Sequence, residues 1–104
     1  MNGPFRLDRR HDVVPEGVVG VYMLARRRGG PIRYVGSTPN GGNLLPRLSD
    51  HVTEGKYAWF WFFVTDNRHQ ALVAECQLYT QYGGKARLDN QRRPAFCRRM
   101  GHDH

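Results

Sequence analysis

The sequence predicts an α+β fold, a small three-stranded antiparallel sheet flanked by helices. Three observations predict it. Two apolar runs rich in β-branched residues stand on either side of an arginine, glycine and proline turn. Two later stretches have helical periodicity, each preceded by a polar capping residue and followed by glycine. Between those stretches lies an aromatic run that is apolar on both faces, which indicates a central strand or one covered on both sides. At 104 residues the chain has room for one small domain and one modest core.

Residues 1–16 are polar and charged without periodicity and are expected to form a flexible or loosely attached arm. Gly17 to Ala25 reads as the first strand, with Val19, Val21 and Met23 on one face and Tyr22 and Leu24 on the other. Arg26 to Pro31 is hairpin punctuation, and Ile32 to Ser37 is the second strand, antiparallel to the first. Pro39 to Asn43 is a loop. A helix over about residues 44–54 follows, with Asn43 as N-cap, Pro46 tolerated in the first turn and Gly55 as the stop. Leu44, Leu48 and Val52 mark its buried stripe, while Arg47 and His51 share another face.

The third strand runs from Tyr57 to Thr65. Its aromatic residues read as core rather than as a base-stacking platform. Asp66 and Asn67 cap a second helix over residues 68–82, ended by Gly83 and Gly84. Ala71, Leu72, Ala74, Leu78 and Tyr82 fit its apolar face, and Glu75 sits within that apolar neighbourhood. Leu88, Asp89 and Asn90 form a short returning segment. The folded domain is expected over residues 17–95, with a basic tail over 96–104.

Lys and Arg total 16 against 9 acidic residues, a formal charge of +7 dominated by arginine. Arginine pairs bidentately with phosphate oxygens, so the excess favours a polyanionic partner over a merely basic surface. The two cysteines, Cys76 and Cys97, form no Cys-x-x-Cys pair, which excludes a zinc ribbon. Both are expected as reduced thiols, with Cys76 a small packing residue. No apolar run is long enough to span a bilayer, and the start lacks a basic segment followed by an apolar stretch. The expectation is a cytoplasmic protein with no membrane partner.

Gly20-Val21-Tyr22 and Tyr34-Val35-Gly36, on the two hairpin strands, resemble the paired signature of the GIY-YIG nucleases. Arg47, Glu75 and Asn90 fall where that family's pattern wants them, so the resemblance covers about residues 17–95. It implies a metal-dependent endonuclease that hydrolyses DNA phosphodiester bonds with Mg²⁺ or Mn²⁺. It further implies that Tyr22 helps to activate or position water and that Tyr34 holds the site or the phosphate. Ser37 stands where some relatives carry a lysine, and with Gly36 and Arg33 it is a candidate substrate contact.

The residue types suit this chemistry. Hydrolysis needs an activated water, positive charge on the phosphate and help for the leaving group. A lone carboxylate such as Glu75 can hold one Mg²⁺, with water and phosphate oxygens completing the shell. Arg47 offers a rigid fork to the scissile phosphate, and His51 can transfer protons near neutral pH. Asn90 is expected to orient the Glu75 side by hydrogen bonds. The bland alternatives are a solvent-facing helix glutamate, a surface arginine, a structural histidine and half-buried tyrosines. The chain has no room for an appended zinc finger or helix-turn-helix, so substrate is expected to be chosen by structure or strand state, with a partner protein as a further means. The competing functional reading is a non-catalytic nucleic-acid-binding module or accessory subunit on the same scaffold.

Overall fold

The structure, a computed structural model, describes residues 2–38 and 42–90. Pro39 to Gly41 of the expected loop, and the expected basic tail, lie outside the described residues. The fold is α+β, built on an antiparallel sheet of four strands in the order β1-β4-β2-β3. Strands β2 (Val19–Ala25), β3 (Tyr34–Ser37) and β4 (Trp59–Thr65) are the three that the sequence predicts.

The fourth strand, β1 (Asn2–Arg6), corrects the expectation of a loosely attached arm. It pairs antiparallel with β4 through Phe5↔Phe60 and Arg6↔Trp59, and the Phe5 ring packs 5.8 Å from that of Phe60. A turn over Leu7–Arg9 and a short helix, α1 (Arg10–Val13), follow, and Leu7 and Val14 are both buried. Arg10 Nε donates to Ser49 Oγ at 2.9 Å and ties α1 to helix α2 (Leu44–Glu54). The segment lacks strand-like composition, so its conformation follows from pairing to an open sheet edge rather than from propensity.

The sheet divides two apolar clusters, as the period-two alternation of its strands requires. On one face Tyr22, Leu24, Phe60 and Phe62 pack with Leu44, Leu45 and Leu48 of α2 and with Leu7 and Val14. On the other, Val21, Met23 and Val35 pack with Cys76 and Tyr79 of helix α3 (Arg68–Gln81). Both helix starts and stops follow the sequence: the Asn67 side chain accepts from Gln70 N, and Gly55 ends α2 with φ 74°.

Three expectations about packing change. Val52 is exposed, and His51 takes the buried position one residue earlier because its ring nitrogens find partners there. Phe63 is 50% exposed, so the outer end of β4 is not covered on both sides. Cys76 is disulfide-bonded rather than a reduced thiol; Cys97 lies outside the described residues. Among the described residues no helix is long and apolar enough to cross a membrane.

Candidate active site

The site is built around β3, an outer strand of the sheet. Tyr22 of β2 lies opposite Gly36 of β3, and Leu24 lies opposite Tyr34. The absent side chain at Gly36 is what the Tyr22 ring needs. A Cβ there would come within 2.4 Å of the Tyr22 hydroxyl oxygen, well inside van der Waals contact. Gly20 plays a similar part at the backbone, since a Cβ there would meet the Phe63 carbonyl oxygen at 2.2 Å. Both glycines of the paired triplets are therefore explained by close approach.

Tyr22 and Tyr34 project from the same face, with ring centroids 6.3 Å apart. His51, from the last turn of α2, packs edge-on against both, at 5.4 Å and 4.8 Å. The Tyr22 hydroxyl and His51 Nε2 are 2.9 Å apart, and His51 Nδ1 lies 2.8 Å from Glu54 Oε1. Burial holds the His51 pKa below its ordinary value despite the neighbouring Glu54 carboxylate, which favours the charged form. The imidazole is therefore neutral at neutral pH.

Burial also raises the pKa of Tyr22 well beyond the usual phenol range, with Tyr34 adding to the rise. The Arg47 guanidinium, beside the Tyr22 hydroxyl, acts in the opposite sense by charge and hydrogen bonding without offsetting burial. Tyr22 is 0% exposed, so in this conformation its oxygen meets protein groups rather than solvent water. Tyr34 is only partly buried and is the phenol that faces outward.

Arg47 is half-buried and bonds Asp50 one turn along at 3.3 Å, a weak pair that leaves guanidinium donors for a ligand. Glu75 stands on α3, on the opposite face of the sheet, and accepts a hydrogen bond from Ser37 Oγ at 2.9 Å. Burial pushes its carboxyl up to about 7, against the Ser37 hydrogen bond and the more distant charges of Arg47 and Arg68. The charge of Arg47 acts on Glu75, and among the described residues no strand lies beyond β3. Among the described residues Glu75 forms no salt bridge, and no cluster of three or more His, Cys, Asp or Glu side chains forms a metal cage.

Asn90 does not hydrogen-bond Glu75. Its side chain runs along the open edge of β3, where Oδ1 accepts from Val35 N at 3.1 Å and Nδ2 donates to Val35 O at 2.7 Å. It takes the place of a neighbouring strand and holds the backbone between Tyr34 and Gly36, acting on the site through the strand. Arg33 is likewise occupied: Nη2 donates to Asp89 Oδ1 at 2.8 Å, and the same carboxylate accepts from Arg26 and from the Tyr57 hydroxyl. Burial works against the Asp89 charge, but these bonds prevail and hold its pKa below the usual range. Arg33 also lines a cleft of about 800 Å³ with Trp61, Tyr82 and Arg87.

Glu54, Tyr57 and Asp89 are the functional candidates that sequence reading missed. Glu54 had a signal, since it lies three residues beyond His51 on one helix face. Tyr57 and Asp89 had none, because they meet across 32 residues of chain. Comparisons with protein-family models, with curated proteins and with solved structures find no match to this chain.

Proposed function

We propose that the chain is a divalent-metal-dependent endonuclease of the GIY-YIG type, acting on DNA. The observation that carries this reading is the gathering of Tyr22, Tyr34, Arg47 and His51 on one side of β3 with Ser37 and Glu75 on the other. Such a strand edge offers donors, a base and a carboxylate to one phosphodiester.

Glu75 suits a cation. A partly buried carboxylate with no salt-bridge partner among the described residues, held near 7, gains from bound positive charge. It would hold Mg²⁺ or Mn²⁺ with phosphate oxygens and water completing the shell. The bound metal would supply positive charge against the negative charge developing on the phosphate and leaving oxygen. Ser37 orients the Glu75 carboxylate. Arg47 clamps a phosphate oxygen through guanidinium donors that Asp50 leaves free. Tyr34 faces the reacting water, while Tyr22 holds Tyr34, Arg47 and His51 in register from within. Gly36 leaves room for that arrangement, and Asn90 holds the strand that carries it. Arg33 braces the hairpin through Asp89.

Arg47→Ala is the informative test. A phosphate clamp acting in the transition state contributes on the order of 10³-fold in rate. Cleavage at saturating DNA should fall by that order while the dissociation constant changes only a few-fold. Equal losses in rate and affinity would reduce Arg47 to a backbone contact and favour a non-catalytic binding module.

A further inference from the structure

We infer that Glu54 is a positioning residue of this site: its carboxylate accepts the His51 Nδ1–H, fixes the imidazole with a bare Nε2, and thereby makes His51 the acceptor of the Tyr22 hydroxyl proton. The kinetic part of the inference rests on the nuclease reading; the tautomer does not.

The assignment follows from the Glu54 end of the chain. A carboxylate accepts, so the ring nitrogen 2.8 Å from Glu54 carries hydrogen. A neutral imidazole carries one hydrogen, so Nε2 is bare and accepts from the Tyr22 hydroxyl 2.9 Å away. The Arg47 guanidinium, which can only donate, is compatible with that orientation because the Tyr22 oxygen keeps its lone pairs.

The position of Glu54 adds a second argument. It is the last residue of α2, directly before the Gly55 C-cap. A carboxylate is electrostatically disfavoured at a helix C-terminus. Its hydrogen bond to His51 compensates for that placement.

The charged and titratable groups around His51 are Tyr22 from β2, Tyr34 from β3, Tyr57 from the loop before β4, and Arg47, Asp50 and Glu54 from α2. Glu54 alone among the acidic ones is hydrogen-bonded to the ring. The opposite tautomer would place a hydrogen on Nε2, facing the Tyr22 oxygen, and reverse the Tyr22–His51 hydrogen bond.

The functional consequence is a direction for proton flow. As the water oxygen forms its bond to phosphorus, the water proton passes to the Tyr34 oxygen. The Tyr34 hydroxyl, whose ring stacks on that of Tyr22 with centroids 6.3 Å apart, turns to the Tyr22 oxygen and passes its proton there, and the Tyr22 proton passes to His51 Nε2. The bond from phosphorus to the leaving oxygen breaks with its electron pair, and that oxygen takes a proton from solvent. The imidazolium is stabilised by Glu54 and later returns its proton to solvent. Neither phenol has to exist as a standing phenolate, which their burial disfavours.

The test uses the full chain and nitrogen-15 NMR of the imidazole, with His51→Asn assigning the signal among the five histidines. The wild-type ring should show the single Nδ1–H tautomer. Glu54→Ala, and Glu54→Gln, whose amide can either donate or accept, should admit the other. In both variants cleavage at saturating DNA should fall at least about ten-fold, with DNA affinity and melting temperature nearly unchanged. A wild-type Nε2–H tautomer overturns the inference, as does a tautomer or a saturated rate unaltered in Glu54→Ala. If the wild-type chain cuts no DNA with metal present but the tautomers behave as described, the nuclease reading falls and the positioning role of Glu54 stands.

Discussion

Glu75 carries an electrostatic tension that is measurable without any substrate. Burial raises its carboxyl from the ordinary 4.5 to about 7, so the folded chain holds this proton at pH values where the unfolded chain has released it. The contribution to stability is fully present below about 4.5 and is lost as pH rises through about 7. Glu75→Gln should therefore be more stable than wild type above neutrality and should flatten this part of the pH dependence. Mg²⁺ should recover stability in the wild type alone. Chemical denaturation at pH 5 and pH 8, with and without Mg²⁺, measures both effects. A pH response shared by the two proteins would place Glu75 in ordinary solvent. At this scale the candidates Tyr22, Tyr34, Arg47, His51 and Glu75 could be singled out in the sequence because each has a residue type suited to the proposed phosphodiester chemistry. The action of Asn90 on the Val35 backbone was not, since an amide's partners depend on which strand edge it meets.

The elements differ in how plainly the sequence announces them. Strands β2 and β3 are bracketed by turn residues, and α2 and α3 by caps whose side-chain or left-handed geometry is realised in Asn67 and Gly55. Strand β1 is announced by nothing, because Asn2-Gly3-Pro4 is poor strand material and only the exposed edge of β4 makes it a strand. Its attachment has an energetic consequence. Phe5 packs against both Phe60 and Phe62, with ring centroids 5.8 and 6.0 Å away, while remaining partly buried. Phe5→Ala should lower unfolding stability by roughly 2 kcal/mol, less than truncation of a fully buried phenylalanine. A loose arm would give a change within about 0.5 kcal/mol. Denaturant melts of the variant decide between them. Removal of residues 2–6 should cost more, because it also exposes the outer edge of β4. The site depends on β1 only indirectly, through the core face that α2 shares with Phe60 and Phe62.

For the whole molecule, α+β class and the sandwiching of the sheet were readable from the order of periodic segments, whereas the wrapping of the site around an outer strand was not. That arrangement depends on β3 being the outer strand among the described residues, a fact of topology that no local pattern contains. The formal charge of +7 is likewise a property of the whole chain. If the proposed DNA partner is right, binding should weaken steeply with salt, by about 0.7 to 0.9 in log affinity per log salt for each phosphate contacted. Fluorescence anisotropy across a salt series, on duplexes of unrelated sequence, should give one common steep slope; a flat response or a strong preference for one duplex would contradict sequence-independent phosphate contact. Binding alone does not establish the proposed hydrolysis, for which Glu75 is the proposed metal ligand. The most direct measurement is single-turnover cleavage of labelled single-stranded, duplex, flap and junction DNA with Mg²⁺, with Mn²⁺ and with EDTA, using wild type and Glu75→Gln side by side. A metal-dependent endonuclease should cut at least one of these substrates with either metal, stop in EDTA, and lose cutting but keep binding in Glu75→Gln. Cleavage that survives EDTA or the Glu75→Gln substitution, or bound DNA left intact by the wild type with both metals, would contradict it.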